Sequence, residues 1–175
     1  MKKEYIIPIF VPNLGCPNDC TFCNQKKISG QQTNVTPDDV KKTIEYYLEN
    51  FKDSSKYVEV AFFGGSFTGI DEGVQKELLE AANEYIKKGK VNSIRISTRP
   101  DYINRKILKM LKKYKVKTIE LGVQSSNDYI LQKSRRNHTF ADVIKASKLI
   151  RFYGFTLGHQ MMIGMPDSTE IDELN

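Results

Sequence analysis

Apolar positions along this chain recur with two spacings that take turns, and the alternation marks out its elements. Short, nearly continuous apolar runs predict strands over residues 5–11, 57–63, 91–97, 118–123 and 155–163. Between them the apolar positions move to helical spacing. Val40, Ile44, Tyr47, Leu48 and Phe51 share one face of a first helix, and Val74, Leu78, Leu79, Ala82 and Ile86 share one face of a second. Ile103, Ile107, Met110, Leu111 and Tyr114 mark a third. A short helical stretch over 127–133 leads to a longer one over 139–153, and another begins at 167–174. The polar positions punctuate this pattern. Pro12-Asn13 ends the first strand, Gly89 stops the second helix and Pro100 follows the third strand. Thr36 is a capping residue, Pro37 suits the first helical turn, and Asp38 and Asp39 favour the positive end of the helix dipole.

Strands separated by helices predict parallel β/α units in an α/β fold. No linker or low-complexity stretch divides residues 1–175, so the pattern predicts one domain. A barrel and an open doubly wound sheet both satisfy it. In either, ligands bind where the strands end. Polar and glycine-rich residues gather at those positions. Three cysteines follow the first strand and Gly64-Gly65-Ser66-Phe67-Thr68-Gly69 the second. Ser97-Thr98-Arg99-Pro100 follows the third, Glu120 and Gln124 lie on the fourth, and His159 and Gln160 on the fifth. The glycine pair lacks the Lys-Ser/Thr of a phosphate-binding loop and the spacing of a dinucleotide fingerprint.

Composition narrows the class. Of 175 residues, 39% are apolar and 27% charged, the profile of an ordinary globular protein. Runs such as Val60-Ala61-Phe62-Phe63 are far too short to span a bilayer, so no membrane partner is expected. The opening Met1-Lys2-Lys3-Glu4 carries no secretory pattern, and a cytoplasmic location is expected. In that reducing compartment clustered cysteines read as ligands or catalysts rather than disulfide partners. The net charge of +6 suits a lysine-rich solvated surface, and also attraction to a polyanion such as RNA.

Cys16, Cys20 and Cys23 are the only cysteines, spaced C-x3-C-x2-C with Phe22 just before the last. A structural zinc site takes four ligands, usually in two pairs, and here no second pair exists; His138 or His159 would have to serve from far along the chain. A Cys20/Cys23 redox pair leaves Cys16 unexplained. Three thiolates can hold three corners of a cubane iron–sulfur cluster and leave its fourth iron open.

The segment from Gly15 to Gln25 resembles the cluster loop of radical S-adenosylmethionine enzymes. Gly64-Gly65-Ser66, Ser97-Thr98-Arg99-Pro100-Asp101, Glu120-Leu121-Gly122-Val123-Gln124-Ser125 and the run from Gln160 to Pro166 resemble that superfamily's later motifs, in order. Within it the chain is most similar to bacterial relatives of the Elongator radical domain, then to oxygen-independent coproporphyrinogen III oxidase. The resemblance implies a partial (β/α)6 TIM-like barrel, here with about five β/α units. It implies a 4Fe-4S cluster on Cys16, Cys20 and Cys23, with S-adenosylmethionine on the open iron. Gly64, Gly65 and Ser66 would meet the cofactor's methionine part and Phe22 would lie near its adenine. Gln124, Arg136 and Gln160 would take further cofactor-contacting positions, as would Ser97, where the family uses an acid. Electron transfer to the cofactor would give methionine and a 5′-deoxyadenosyl radical that abstracts hydrogen from a substrate. An external one-electron donor such as flavodoxin or ferredoxin is implied, and tRNA is a family-level substrate. A six-unit core needs a sixth strand, so a truncated barrel with an uncovered edge is expected. The Elongator subunit carries its acetyltransferase in a separate C-terminal domain, so acetyl transfer is not expected of these residues. Two other readings stay open: an RNA-binding module with a structural cluster or zinc, and an inactive fragment of the enzyme.

Overall fold

The computed structural model describes residues 3–11, 20–23, 34–52 and 56–174. Cys16 and the Pro12-Asn13 strand end lie outside these residues. In chain order the elements are β1 (Lys3–Val11), α1 (Pro37–Asn50), β2 (Lys56–Gly64), α2 (Glu72–Lys87), β3 (Ser93–Thr98) and α3 (Arg105–Lys113). They continue with β4 (Val116–Gln124), α4 (Asp128–Lys133), α5 (Phe140–Phe152), β5 (Thr156–Met161) and α6 (Glu170–Leu174). Short 3₁₀ turns at Phe67–Gly69 and Pro100–Tyr102 follow β2 and β3.

The five strands pair in parallel in the order β1-β2-β3-β4-β5. A doubly wound sheet reverses direction at a switch point. A strictly sequential parallel order is that of a β/α barrel, and since β1 and β5 are edges among the described residues the barrel is partial. Strand alternation assigns the two faces. Ile7, Ile9, Val58, Val60, Phe62, Ile94, Ile96, Ile119 and Leu121 are buried toward the helices. There they form one core with Val40, Ile44, Leu78, Leu79, Leu108, Leu111, Val143 and Ile150. Each such side chain contributes about 1.5–3 kcal/mol of hydrophobic stabilisation.

The opposite, concave face is polar along its middle strands. Glu59 on β2, Arg95 on β3 and Glu120 on β4 stand side by side there. The Arg95 guanidinium donates to Glu59 Oε2 at 2.6 Å and to Glu120 Oε1. Burial pulls the pKa of Arg95 down, but its two carboxylate partners outweigh burial and hold it above its ordinary value. Ser93 and Thr118 also donate to Glu59 Oε1, and Tyr57 donates to Ser93. What reads along the sequence as continuous apolar strands is thus an apolar helix-side face backed by a hydrogen-bonded polar one.

Most strand boundaries lie one or two residues from the sequence expectation, and two of the shifts shorten a strand by two residues for a visible reason. β3 starts at Ser93, because Lys90 and Val91 fold back onto the Tyr85 carbonyl and Asn92 brackets the backbone of Val58. β5 stops at Met161; Met162 N–H bonds to Gln124 O and Ile163 is 80% exposed. No helix among the described residues is long and apolar enough to cross a membrane.

Candidate functional site

The C-terminal ends of β2 to β5 surround a cavity of about 130 Å³. Its lining is Cys20, Phe22, Cys23, Gly64, Gly65, Ser66, Ser97, Thr98, Arg99, Gly122, Gln124, Arg136 and Gln160. Every site residue expected from the sequence and lying among the described residues is on that wall. Cys16 lies outside the described residues. A larger hollow of about 570 Å³ between α3 and α5 contains none of these residues.

The wall is built locally. Gly64 ends β2 at φ +113, a conformation open to glycine, and a Cβ there would lie 2.3 Å from the Val11 carbonyl oxygen. The next amide, Gly65 N–H, donates to that same carbonyl at 3.1 Å. Ser66, buried, joins its hydroxyl to Thr98 Oγ1 at 2.8 Å and accepts from the Arg99 N–H at 3.2 Å. These bonds tie the Gly-Gly turn to the end of β3. At the end of β4, Gln124 holds φ +73, a left-handed conformation rare for a residue with a side chain.

Arg136 comes from the loop between α4 and α5. Its neighbours Arg135 and Asn137 both have positive φ, +55 and +54, and the double turn directs Arg136 inward. Arg136 is buried; it donates to the Gly122 carbonyl, approaches Cys20 Sγ at 3.7 Å and stacks 6.0 Å from the Phe22 ring centre. Arg99 fixes this loop. It holds Asp101 through two bonds of 2.9 Å and donates to the Arg136 carbonyl at 2.7 Å. Cys20 is buried beside the same loop, with Sγ 3.6 Å from Arg135 O, and Thr21 N–H bonds to Ser134 O at 3.3 Å. The Cys23 N–H closes a turn onto Cys20 O at 2.9 Å. Burial, then the positive charges of Arg136 and Arg99, push the pKa of the adjacent His138 down.

Thr98, Arg99 and Gly122 also line the wall; none of them is an expected site residue, although each lies inside one of the strand-end motifs. The structure also separates His159 from Gln160. Alternation puts them on opposite faces, and His159 Nε2 meets Ser147 Oγ of α5 at 2.9 Å on the helix side. Gln160 alone faces the cavity.

The residues present suit an iron–sulfur cluster and a polar ligand beside it. Two thiols border the cavity, and a buried guanidinium stands against one of them, a cation where an anionic cluster would sit. Arg136 Nε is buried without a hydrogen-bond partner among the described residues. Such an atom is a donor awaiting an acceptor. At Gly122 an added Cβ would crowd Gln124 Nε2 at 3.1 Å and Arg136 Nη2 at 3.2 Å.

Fold and site together define a partial β/α barrel with a thiol-bordered ligand cavity at its C-terminal mouth. The chain belongs to the radical SAM superfamily: residues 10–174 match the family description "Radical SAM superfamily". It is 32% identical over 144 residues to the tRNA uridine(34) acetyltransferase of Methanocaldococcus infernus, covering 72% of this chain and 27% of that protein. It is 28% identical to the heme chaperone HemW of Bacillus subtilis, covering 97% of this chain and 44% of that one. Its fold superposes on an N-terminally deleted archaeal Elp3 of Methanocaldococcus infernus with a TM-score of 0.71 and 25% identity, over 99% of this chain and 41% of that chain. The chain therefore spans between a quarter and a half of these proteins' length.

Proposed function

We propose that this chain is the radical-generating core domain of a tRNA-modifying enzyme. It would carry a 4Fe-4S cluster on Cys16, Cys20 and Cys23 and take S-adenosylmethionine into the adjoining cavity. One observation carries the reading: nine residues drawn from five separated motifs, Cys20 and Cys23 among them, converge with Arg136 on a single small cavity. When bound and reduced, the cluster supplies the electron that splits S-adenosylmethionine into methionine and a 5′-deoxyadenosyl radical for hydrogen abstraction. The chain's own residues bind and orient. Gly64 and Gly65 bring bare backbone to the cofactor, and Ser66 holds that backbone to β3. Arg136 offers a buried cation and a free Nε–H to a carboxylate. Phe22, stacked on Arg136, gives an apolar face for a base. Gln124, Ser97 and Gln160 supply polar contacts on the β3–β5 side.

Names of relatives support tRNA as the substrate class, since one is a tRNA uridine(34) acetyltransferase. The outer wall supports it too: the exposed Lys and Arg residues of α3 and α5 form a basic surface. A flavodoxin- or ferredoxin-like protein would deliver the electron, and clustered thiols fit the reducing cytoplasm.

Anaerobic reconstitution with iron and sulfide tests the proposal. The protein should gain about four irons per chain. With dithionite and S-adenosylmethionine it should then release 5′-deoxyadenosine, while Cys20→Ala and Cys23→Ala should release none. A fully loaded, reduced protein that leaves the cofactor intact would sink the reading.

A further inference from the structure

Gln160 and Ser97 reach the cavity from β5 and β3, and between them on β4 lies Glu120, which no step of the proposed reaction uses. Among the described residues the hydrogen bonds of these three side chains can be counted. Gln160 Nε2 has two hydrogens. One goes to Glu120 Oε2 at 2.9 Å and the other to Ser97 Oγ at 3.4 Å. Ser97 has one hydroxyl hydrogen, and it goes to Glu120 Oε2 at 3.2 Å. Glu120 Oε1 is taken by Arg95, which Glu59 holds from the far side. An ionised carboxylate only accepts, so it draws the donors of both neighbours toward itself. What Gln160 and Ser97 retain for the cavity is acceptor capacity: the amide Oε1, without a hydrogen-bond partner among the described residues, and a hydroxyl lone pair. Turning the Gln160 amide over would set its oxygen against a carboxylate oxygen, so the orientation is enforced.

The fold makes room for this arrangement. Gly158 lies opposite Glu120 in the β4–β5 register, and a Cβ there would press on Glu120 Cγ at 3.2 Å. The bare glycine lets the Glu120 side chain lie across β5 toward Gln160.

We propose that Glu120 is a positioning residue that sets the hydrogen-bond polarity of the cavity's β3–β5 wall, so that the wall selects ligand groups that donate. Resting on the cofactor reading above, it assigns the hydroxyl and amino groups of S-adenosylmethionine as the groups recognised there. Glu120 acts through Gln160 and Ser97 and touches no ligand itself.

Glu120→Gln is the test, because it keeps the size of the side chain and changes its donor pattern. Arg95 would claim the new amide's single oxygen, and its NH2 would face Gln160. Gln160 would then turn its oxygen to the wall and its N–H groups to the cavity. Binding of S-adenosylmethionine to the anaerobically reconstituted protein is read by calorimetry, with iron content and thermal midpoint measured alongside. The expected result is roughly tenfold weaker binding, the worth of one hydrogen bond, at unchanged iron content. In a Gln160→Ala background the same change should cost far less, because the residue it acts through is gone. Gly158→Ala, which displaces Glu120 without altering its charge, should weaken binding in the same direction. Wild-type affinity in Glu120→Gln, or an undiminished loss on top of Gln160→Ala, overturns the role of Glu120 and leaves the cofactor reading standing. A wild-type protein that takes up its iron yet binds no S-adenosylmethionine overturns that reading, and this role with it.

Discussion

Gln124 shows what a single residue in the site costs the fold. Its φ of +73 places a side-chain-bearing residue in the left-handed region, where only glycine sits without penalty. The carbonyl of Gln124 accepts the Met162 N–H at 2.9 Å, so the strained turn also joins β4 to the segment after β5. Gln124→Gly should therefore stabilise the protein by about 1 kcal/mol in denaturant titration. The same variant should bind S-adenosylmethionine more weakly, since the side chain on the cavity wall is gone. An unchanged affinity would remove Gln124 from the site. Residues of this kind were half legible beforehand. The motif around Gln124 marked the position, while a backbone dihedral leaves no trace in residue order. Arg136 was legible only through family resemblance: the Arg135 and Asn137 turns that bury it have no glycine to announce them.

At the level of elements, threonine and aspartate spaced three apart do the same work repeatedly. Thr36 and Asp39 cap α1, Thr139 and Asp142 cap α5, and Thr169 and Asp172 bond in the same way at the start of α6. In the first two boxes the threonine side chain accepts the aspartate N–H while the carboxylate accepts the threonine N–H. Hydrogen bonds from Thr36 hold the Asp39 carboxyl below its ordinary pKa, and those from Thr139 do so for Asp142. Thr139→Ala should lower stability by about 1 kcal/mol, measured by urea unfolding at neutral pH. A loss near zero would mean that α5 is held by packing alone. The α1 box was readable from Thr36 and the acids that follow. Strand faces were harder. β3 runs Ser-Ile-Arg-Ile-Ser-Thr, and its alternation is plain once the sheet is seen. In sequence it passed as part of an apolar run, because Val91 lies next to it and the partners of Arg95 are 36 and 25 residues away.

For the whole molecule, the sequential strand order decided between two architectures that periodicity alone left equal. Charge is just as uneven. α3 and α5 carry Arg105, Lys106, Lys109, Lys112, Lys113, Lys145, Lys148 and Arg151 against one acid, Asp142, and these two helices outweigh the chain's net +6. Phe152, 84% exposed, lies in the groove that they share. A surface of this composition should bind tRNA with an affinity that falls steeply between roughly 50 and 200 mM salt. Charge reversal at Lys145, Lys148 and Arg151 should flatten that dependence in filter binding; equal slopes would free this wall of any RNA role. The geometry at Gly64 reaches further than its size suggests. The Val11 carbonyl that a side chain at 64 would strike is also the last backbone group of β1 before the chain departs toward the cysteines. The Gly-Gly turn and the root of the cysteine loop are thus one contact. Under the proposed reading, any side chain at 64 would press on the end of the strand that leads into the cysteine segment, so the cofactor's seat and the end of β1 must change together or stay fixed together.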